Sequence, residues 1–136
     1  MKTYFVDTNL FIRYLTNDDI EKANRVEELL DKAALCKVRL ITCEVVLAEV
    51  VWVLESYYNL NKVQIAEHLE AILATPGLNV LNGKVVEKAV AYYLNENIDF
   101  IDAYIVSLMN KLNISSIYSF DKNHLKRIKS IKRLEP

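Results

Sequence analysis

Short apolar runs that end at acidic or polar residues alternate along the chain with stretches whose apolar residues recur at helical spacing, and this alternation leaves few folds open. TYFVD (residues 3–7) reads as a strand and NLFIRYLTN as the helix after it. Asp18 and Asp19 mark the start of a second helix, in which Ile20, Ala23, Val26, Leu29, Leu30, Ala33 and Ala34 fall on one face. VRLIT (38–42) alternates as a strand, and residues 44–58 form a run too long and too free of turn residues for a strand, so they predict a helix closed by Asn59 and Asn61. A further helix covers 62–74 as far as Pro76-Gly77, LNVLN (78–82) is a short strand, and VVEKAVAYYL and DFIDAYIVSLMNKL are helices. ISSIYSF (114–120) is a strand ending at Asp121, and the tail holds a short helix and a last strand at Ser130–Leu134. Strands alternating with helices predict an α/β fold with a parallel sheet covered on both faces, built as a single domain over residues 1–136.

The run VVLAEVVWVL (45–54) contains one charge, Glu49, among nine apolar residues. A carboxylate buried there loses several kcal/mol unless it is paired or binds a cation, on the order of what an unpaired buried charge costs. No Lys or Arg lies within a helical turn of it. The spacing therefore predicts a buried carboxylate that meets a cation from outside the chain. Asp7 and Asp121 each follow an apolar strand, which places them at the carboxyl edge where open α/β sheets bind ligands. Asp99 and Asp102, three residues apart at a helix start, project from one side of that helix. Together these five acids can face one cleft. Clustered carboxylates raise one another's pKa until a divalent ion binds between them. An all-oxygen set with few histidines suits Mg²⁺ or Mn²⁺, and such an ion activates water and stabilises charge on a phosphoryl oxygen, so a phosphodiester is the natural substrate.

Each acid taken singly has a plainer role. Asp7 can cap the helix of NLFIRYL, with Thr8 or Asn9 as alternatives. Asp99 can cap the helix of DFIDA while Asp102 favours its positive end, and Asp121 can be a turn residue. Glu49 is the member for which no such role is evident. His68 and His124 are too isolated for a catalytic pair and read as solvated or packed side chains. Tyr57, Tyr58, Tyr92, Tyr93 and Tyr104 fall at helical core spacing. Cys36 and Cys43 belong to no metal or disulfide pattern and read as free thiols. Neither Gly77 nor Gly83 opens a phosphate-binding loop. Asp7 interrupts any signal-peptide core, and the longest apolar run is shorter than a membrane span, so a cytoplasmic protein is expected. Charge is uneven: residues 122–136 hold six Lys/Arg against one Glu, a net +5, which leaves −6 on residues 1–121. Lys122, Lys126, Arg127 and Lys129 of this tail can hold a nucleic-acid backbone or form a solvated helix face.

With FVDTN, LAEVVWVL, DFIDA and YSFDKNH in this order and spacing, nearly the whole chain resembles the PIN-domain ribonucleases, and among them the small VapC toxins of toxin-antitoxin pairs. The resemblance implies an α/β/α sandwich with a central parallel sheet and Mg²⁺- or Mn²⁺-dependent cleavage of RNA. It also implies homodimers and a cognate VapB-like antitoxin that inserts a segment into the cleft. By position it gives Asp7, Glu49, Asp102 and Asp121 as the acidic metal and catalytic set. Thr8 and Asn9 are then neighbours that hold the geometry, and Asp99 is an auxiliary acid. A housekeeping PIN nuclease and a non-cleaving RNA- or protein-binding module are the competing expectations. All four acids are present, which argues against the module. A phosphoaspartate receiver or a haloacid-dehalogenase-like phosphatase is disfavoured because DTN carries a single acid.

Overall fold

Tyr4, Leu40 and Leu78 stand in register across three parallel strands, β1 (Thr3–Phe5), β2 (Arg39–Thr42) and β3 (Leu78–Val80), in the spatial order β1-β2-β3. The computed structural model describes residues 1–136, which form two compact units, Met1–Gly83 and Lys84–Pro136. In the first unit the chain runs β1, α1 (Thr8–Thr16), α2 (Ile20–Ala34), β2, α3 (Glu44–Ser56), α4 (Lys62–Leu73) and β3. Backbone pairing continues past the strand ends, with Val6 N donating to Ile41 O at 2.8 Å and Leu81 N to Thr42 O at 3.0 Å. The middle strand is the most buried: Leu40 and Thr42 are fully enclosed, and the Thr42 hydroxyl donates to the Val6 carbonyl at 3.0 Å. That hydroxyl bond allows a polar residue to sit in the core without an orphaned group.

Asparagines in the left-handed region end several of these segments, Asn17 (φ 53°) after α1 and Asn59 (φ 54°) after α3 among them. Asn tolerates this conformation better than other residues with a Cβ because its short amide bonds locally. Asp19 then caps α2 by accepting from Lys22 N at 3.0 Å, and Asn61 forms a reciprocal capping box with Gln64 at the head of α4. At the Pro76-Gly77 turn the backbone of Gly77 lies at φ +78°, and its carbonyl accepts from Leu40 N at 3.1 Å, which joins the turn to the middle strand.

The second unit holds α5 (Gly83–Asn95), α6 (Phe100–Lys111), and the parallel pair β4 (Ser116–Tyr118) and β5 (Lys132–Leu134), joined through a single 3₁₀ turn at Leu125–Arg127. Buried Ser107 of α6 donates to the Val85 carbonyl at 2.7 Å, and Tyr93 meets Phe100 edge to face with ring centres 5.9 Å apart. Leu125, Ile128 and Ile131 are buried, which ties the basic tail to its unit while its cations stay outside. Arg127 donates to the Asn97 carbonyl, and Arg133 to the Ser119 carbonyl at 2.7 Å. Every strand pairing is parallel, as the alternation of strands and helices predicts, and the five strands form a three-stranded and a two-stranded ladder. No helix is long and apolar enough to cross a membrane. Both cysteines are free, Cys36 exposed and Cys43 half-buried at the head of α3.

Candidate active site

Glu49 is exposed, which corrects the expectation of a buried carboxylate. On α3 the buried residues are Val46, Leu47, Val50, Val51 and Leu54, whereas Val45, Glu49 and Trp52 recur at helical spacing on the open side. The run is apolar on both faces because Val45 and Trp52, 70% and 65% exposed, share the outer stripe with the glutamate. Glu49 therefore bears no desolvation cost that a cation must offset. We predict that Glu49→Gln leaves the stability of the metal-free protein within about 0.5 kcal/mol, as surface substitutions generally do. Thermal denaturation checks this; a gain above about 1 kcal/mol would restore the buried, repelled carboxylate.

What Glu49 does is line a cleft of about 320 Å³ with Asp7, Thr8, Asn9, Arg13 and Tyr57, among others of the first unit. Asp7 is the N-cap of α1, its Oδ1 accepting from Thr8 N at 2.7 Å, so its plainer role holds alongside its place in the cleft. The Thr8 hydroxyl is buried without a partner. An enclosed hydroxyl on a residue that lines a cleft with Asp7, Asp18 and Glu49 is the kind of orphaned group that a bound ion or its water would satisfy. Asp18, expected only as a helix start, gathers the far rim: it accepts from the Tyr58 hydroxyl at 2.5 Å, from Arg13 Nη1 at 3.2 Å and from the Thr16 hydroxyl at 3.0 Å. The Tyr58 bond is the main reason its carboxyl lies below the usual range, and Asp18 in turn pushes the Tyr58 phenol up. Tyr57 and Tyr58 are thus not the core residues their spacing suggests. Tyr57 is 76% exposed and packs edge to face against Tyr58 at 5.2 Å.

In the second unit Asp102 lies in the first turn of α6 with a quarter of its side chain exposed. Asp99 is the N-cap residue of that helix but makes no side-chain cap bond, so capping does not account for it. Both carboxylates turn to His124, whose Nδ1 lies 3.0 Å from Asp102 Oδ2 and 3.4 Å from Asp99 Oδ2. His124 is neither merely solvated nor merely packed, contrary to expectation. One ligand atom from each of the three lies within 4.8 Å of the others, a donor set compact enough for one divalent ion. The signal for His124 was its place three residues after Asp121 in a turn, which its isolation in the sequence obscured.

Asp121 follows β4 and serves the backbone. Its carboxylate accepts from Asn123 N at 3.0 Å and from His124 N and Leu125 N, each at 3.2 Å. These amides, Asn123 first, hold its carboxyl below the ordinary 3.8. The turn role therefore accounts for its visible contacts, and the turn it makes presents His124 to Asp102. Because the folded value is depressed, the stabilisation is present above pH 3.8 and is lost as the pH falls through the folded value. Asp121→Ala should accordingly lower the melting temperature at pH 7, with the deficit shrinking below pH 3.8; a deficit equal at both pH values would refute the charge-assisted turn.

Glu44 also emerges at the head of α3: Oε1 accepts from Asn82 Nδ2 at 3.3 Å and Oε2 is buried without a partner. Of the tail cations, Lys122, Lys126 and Lys129 are exposed, whereas Arg127 is engaged by Asn97.

Strand-end acids, a donor set for a divalent ion and parallel α/β units accord with one family, whose model, the PIN domain, matches residues 4–131. The chain belongs to the PIN-domain family. A VapC ribonuclease from Aquifex aeolicus is 25% identical over 121 residues, covering 89% of each chain. Two solved structures are similar at 18% identity. One is VapC20 of Mycobacterium tuberculosis, described as a sarcin-ricin loop cleaving toxin, with TM-score 0.40 over 90% of this chain and 92% of that one. The other is VapBC2 of Rickettsia felis bound to a promoter DNA fragment, with TM-score 0.39 over 99% and 98%.

Proposed function

We propose that the chain is a divalent-metal-dependent endoribonuclease of the VapC type, acting in the cytoplasm, with Asp7, Glu49, Asp102 and Asp121 as its acidic set and Thr8, Asn9 and Asp99 as their supports. The observation that carries this is the convergence of Asp99, Asp102 and His124 in a chain of the PIN-domain family. The VapC ribonuclease from Aquifex, alike over most of its length, supports the toxin class. The family match runs through both compact units, which supports one PIN domain over the whole chain.

A bound Mg²⁺ or Mn²⁺ ion supplies acidity to water and offsets charge on the scissile phosphoryl oxygen. The chain's own contribution is to hold donors ready. Asp102 and Asp99 offer carboxylate oxygens from one helix start, and Asp7 offers the oxygen not used in its cap. Glu49 faces open solvent, where it can take up a ligand without first breaking a contact. Asp121 keeps the 121–125 turn in place and has acceptor capacity beyond its three amides, since a carboxylate has about four lone-pair sites. The exposed tail lysines offer backbone contacts to RNA. The same reading brings a VapB-like antitoxin and a homodimer as partners.

The test is cleavage of a mixed cellular RNA pool by antitoxin-free protein, with Mg²⁺, with Mn²⁺ and with EDTA, beside Asp7→Asn. Metal-dependent cuts that vanish in the variant support the reading. RNA binding without cuts under any metal would replace it with a binding module.

A further inference from the structure

We propose that the groove between α1 and α2 holds the backbone of a single-stranded RNA segment where it leaves the acidic cleft; this rests on the nuclease reading above. The groove, about 440 Å³, is lined by the cations Arg13, Lys22 and Arg25 over an apolar floor of Leu10, Val26 and Leu29. It adjoins the cleft of Asp7 and Glu49, because Asn9 and Arg13 line both.

The charge arrangement gives the groove its meaning. Residues 1–121 carry a net charge of −6, so most of this body repels phosphate. The helix α2 itself bears Glu21, Glu27, Glu28 and Asp31, none of which lines the groove. The helical repeat sorts Lys22, Arg25, Val26 and Leu29 onto the groove side and leaves the acids elsewhere. Both Lys22 and Arg25 are exposed, and Lys22 has only a long contact of 3.9 Å to Asp19. Arg13 is held to Asp18 through Nη1, which leaves most of its five N–H donors for a phosphate.

A strand whose phosphodiester lies at the carboxylates and that continues past Asn9 and Arg13 enters a concavity with cations at its walls. The apolar floor favours unpaired over duplex RNA, since only unstacked bases and riboses have free faces to lay against Leu10, Val26 and Leu29.

The experiment measures binding of a fluorescent single-stranded oligoribonucleotide to the full chain across a salt series, in EDTA so that no cleavage intrudes. We expect Lys22→Gln/Arg25→Gln to weaken binding on the order of tenfold and to flatten the log–log salt slope by about 1.4, the value for two lost phosphate contacts to a single strand. The control is Lys32→Gln/Lys37→Gln, which removes the same charge from exposed positions outside the groove and should change affinity by less than about twofold. Equal losses in the two variants would show a general charge effect and overturn the groove. Retained RNA affinity in the groove variant, with loss of an acidic protein partner instead, would overturn it in favour of a protein site. The RNA-pool assay on the unmodified chain separates the two claims: binding lost in the groove variant while the unmodified chain never cuts leaves the groove standing and removes the nuclease.

Discussion

Asp102→Asn is expected to reduce metal-dependent RNA cleavage by about a hundredfold or more while leaving the fold in place. The amide has nearly the shape of the carboxylate, and it can still accept a hydrogen bond from His124, 3.0 Å away. What it lacks is the anionic donor. Within the helix the loss costs little, since an acid in the first turn of α6 contributes only about 0.3–1 kcal/mol through the helix dipole. Stability and activity should therefore separate: the melting curve moves slightly, Mn²⁺ affinity measured by calorimetry falls steeply, and cleavage falls with it. Cleavage at the unmodified rate would remove Asp102 from the site, whereas a collapse of the melting curve would make it a structural residue.

The largest effect on stability is expected outside the acidic cleft, at Gly77→Ala. Its φ of +78° alone penalises any residue with a Cβ. A methyl group there would also fall on the backbone carbonyl of Ala33 and within 2.8 Å of the Ala33 Cβ. Ala33 is itself buried at the end of α2, so the obstacle is helix backbone in the core and cannot swing aside as a surface side chain would. The substitution should destabilise the protein by about 3 kcal/mol, or roughly 10 °C in melting temperature for a chain of this size. Chemical denaturation gives the number; a loss below about 1 kcal/mol would mean that the turn and α2 yield together.

Much of the fold is legible in the sequence. Asp19, Asn59 and Asn61 fixed the helix boundaries because caps and left-handed turns are local chemistry. VRLIT became β2 because its alternation matches a strand with a buried inner face. Glu49 departs from its sequence expectation for a physical reason: apolar neighbours in sequence identify a buried residue only when one face of the helix is polar, and α3 carries Val45 and Trp52 on its outer side. The contacts of His124 and Asp18 are not legible in the sequence, because Asp102 and Tyr58 lie 22 and 40 residues away. Asp121 shows the converse, with a turn role visible in its local sequence and present in the structure. The basic tail is a continuous run of charge in the sequence, whereas the cations of α1 and α2 are dispersed there and collect only when the two helices pack.

Strand order in the first unit equals chain order, β1-β2-β3, and this has a consequence for synthesis. Each new strand adds beside the last, so Met1–Gly83 can assemble in the order in which it leaves the ribosome. The remaining 53 residues, which bring Asp99, Asp102, Asp121 and His124, take roughly 3–10 s at about 5–20 residues per second. A nascent chain therefore has Asp7 and Glu49 for seconds before Asp99, Asp102, Asp121 and His124 are made, so the two groups of acids are brought into the folded protein one after the other.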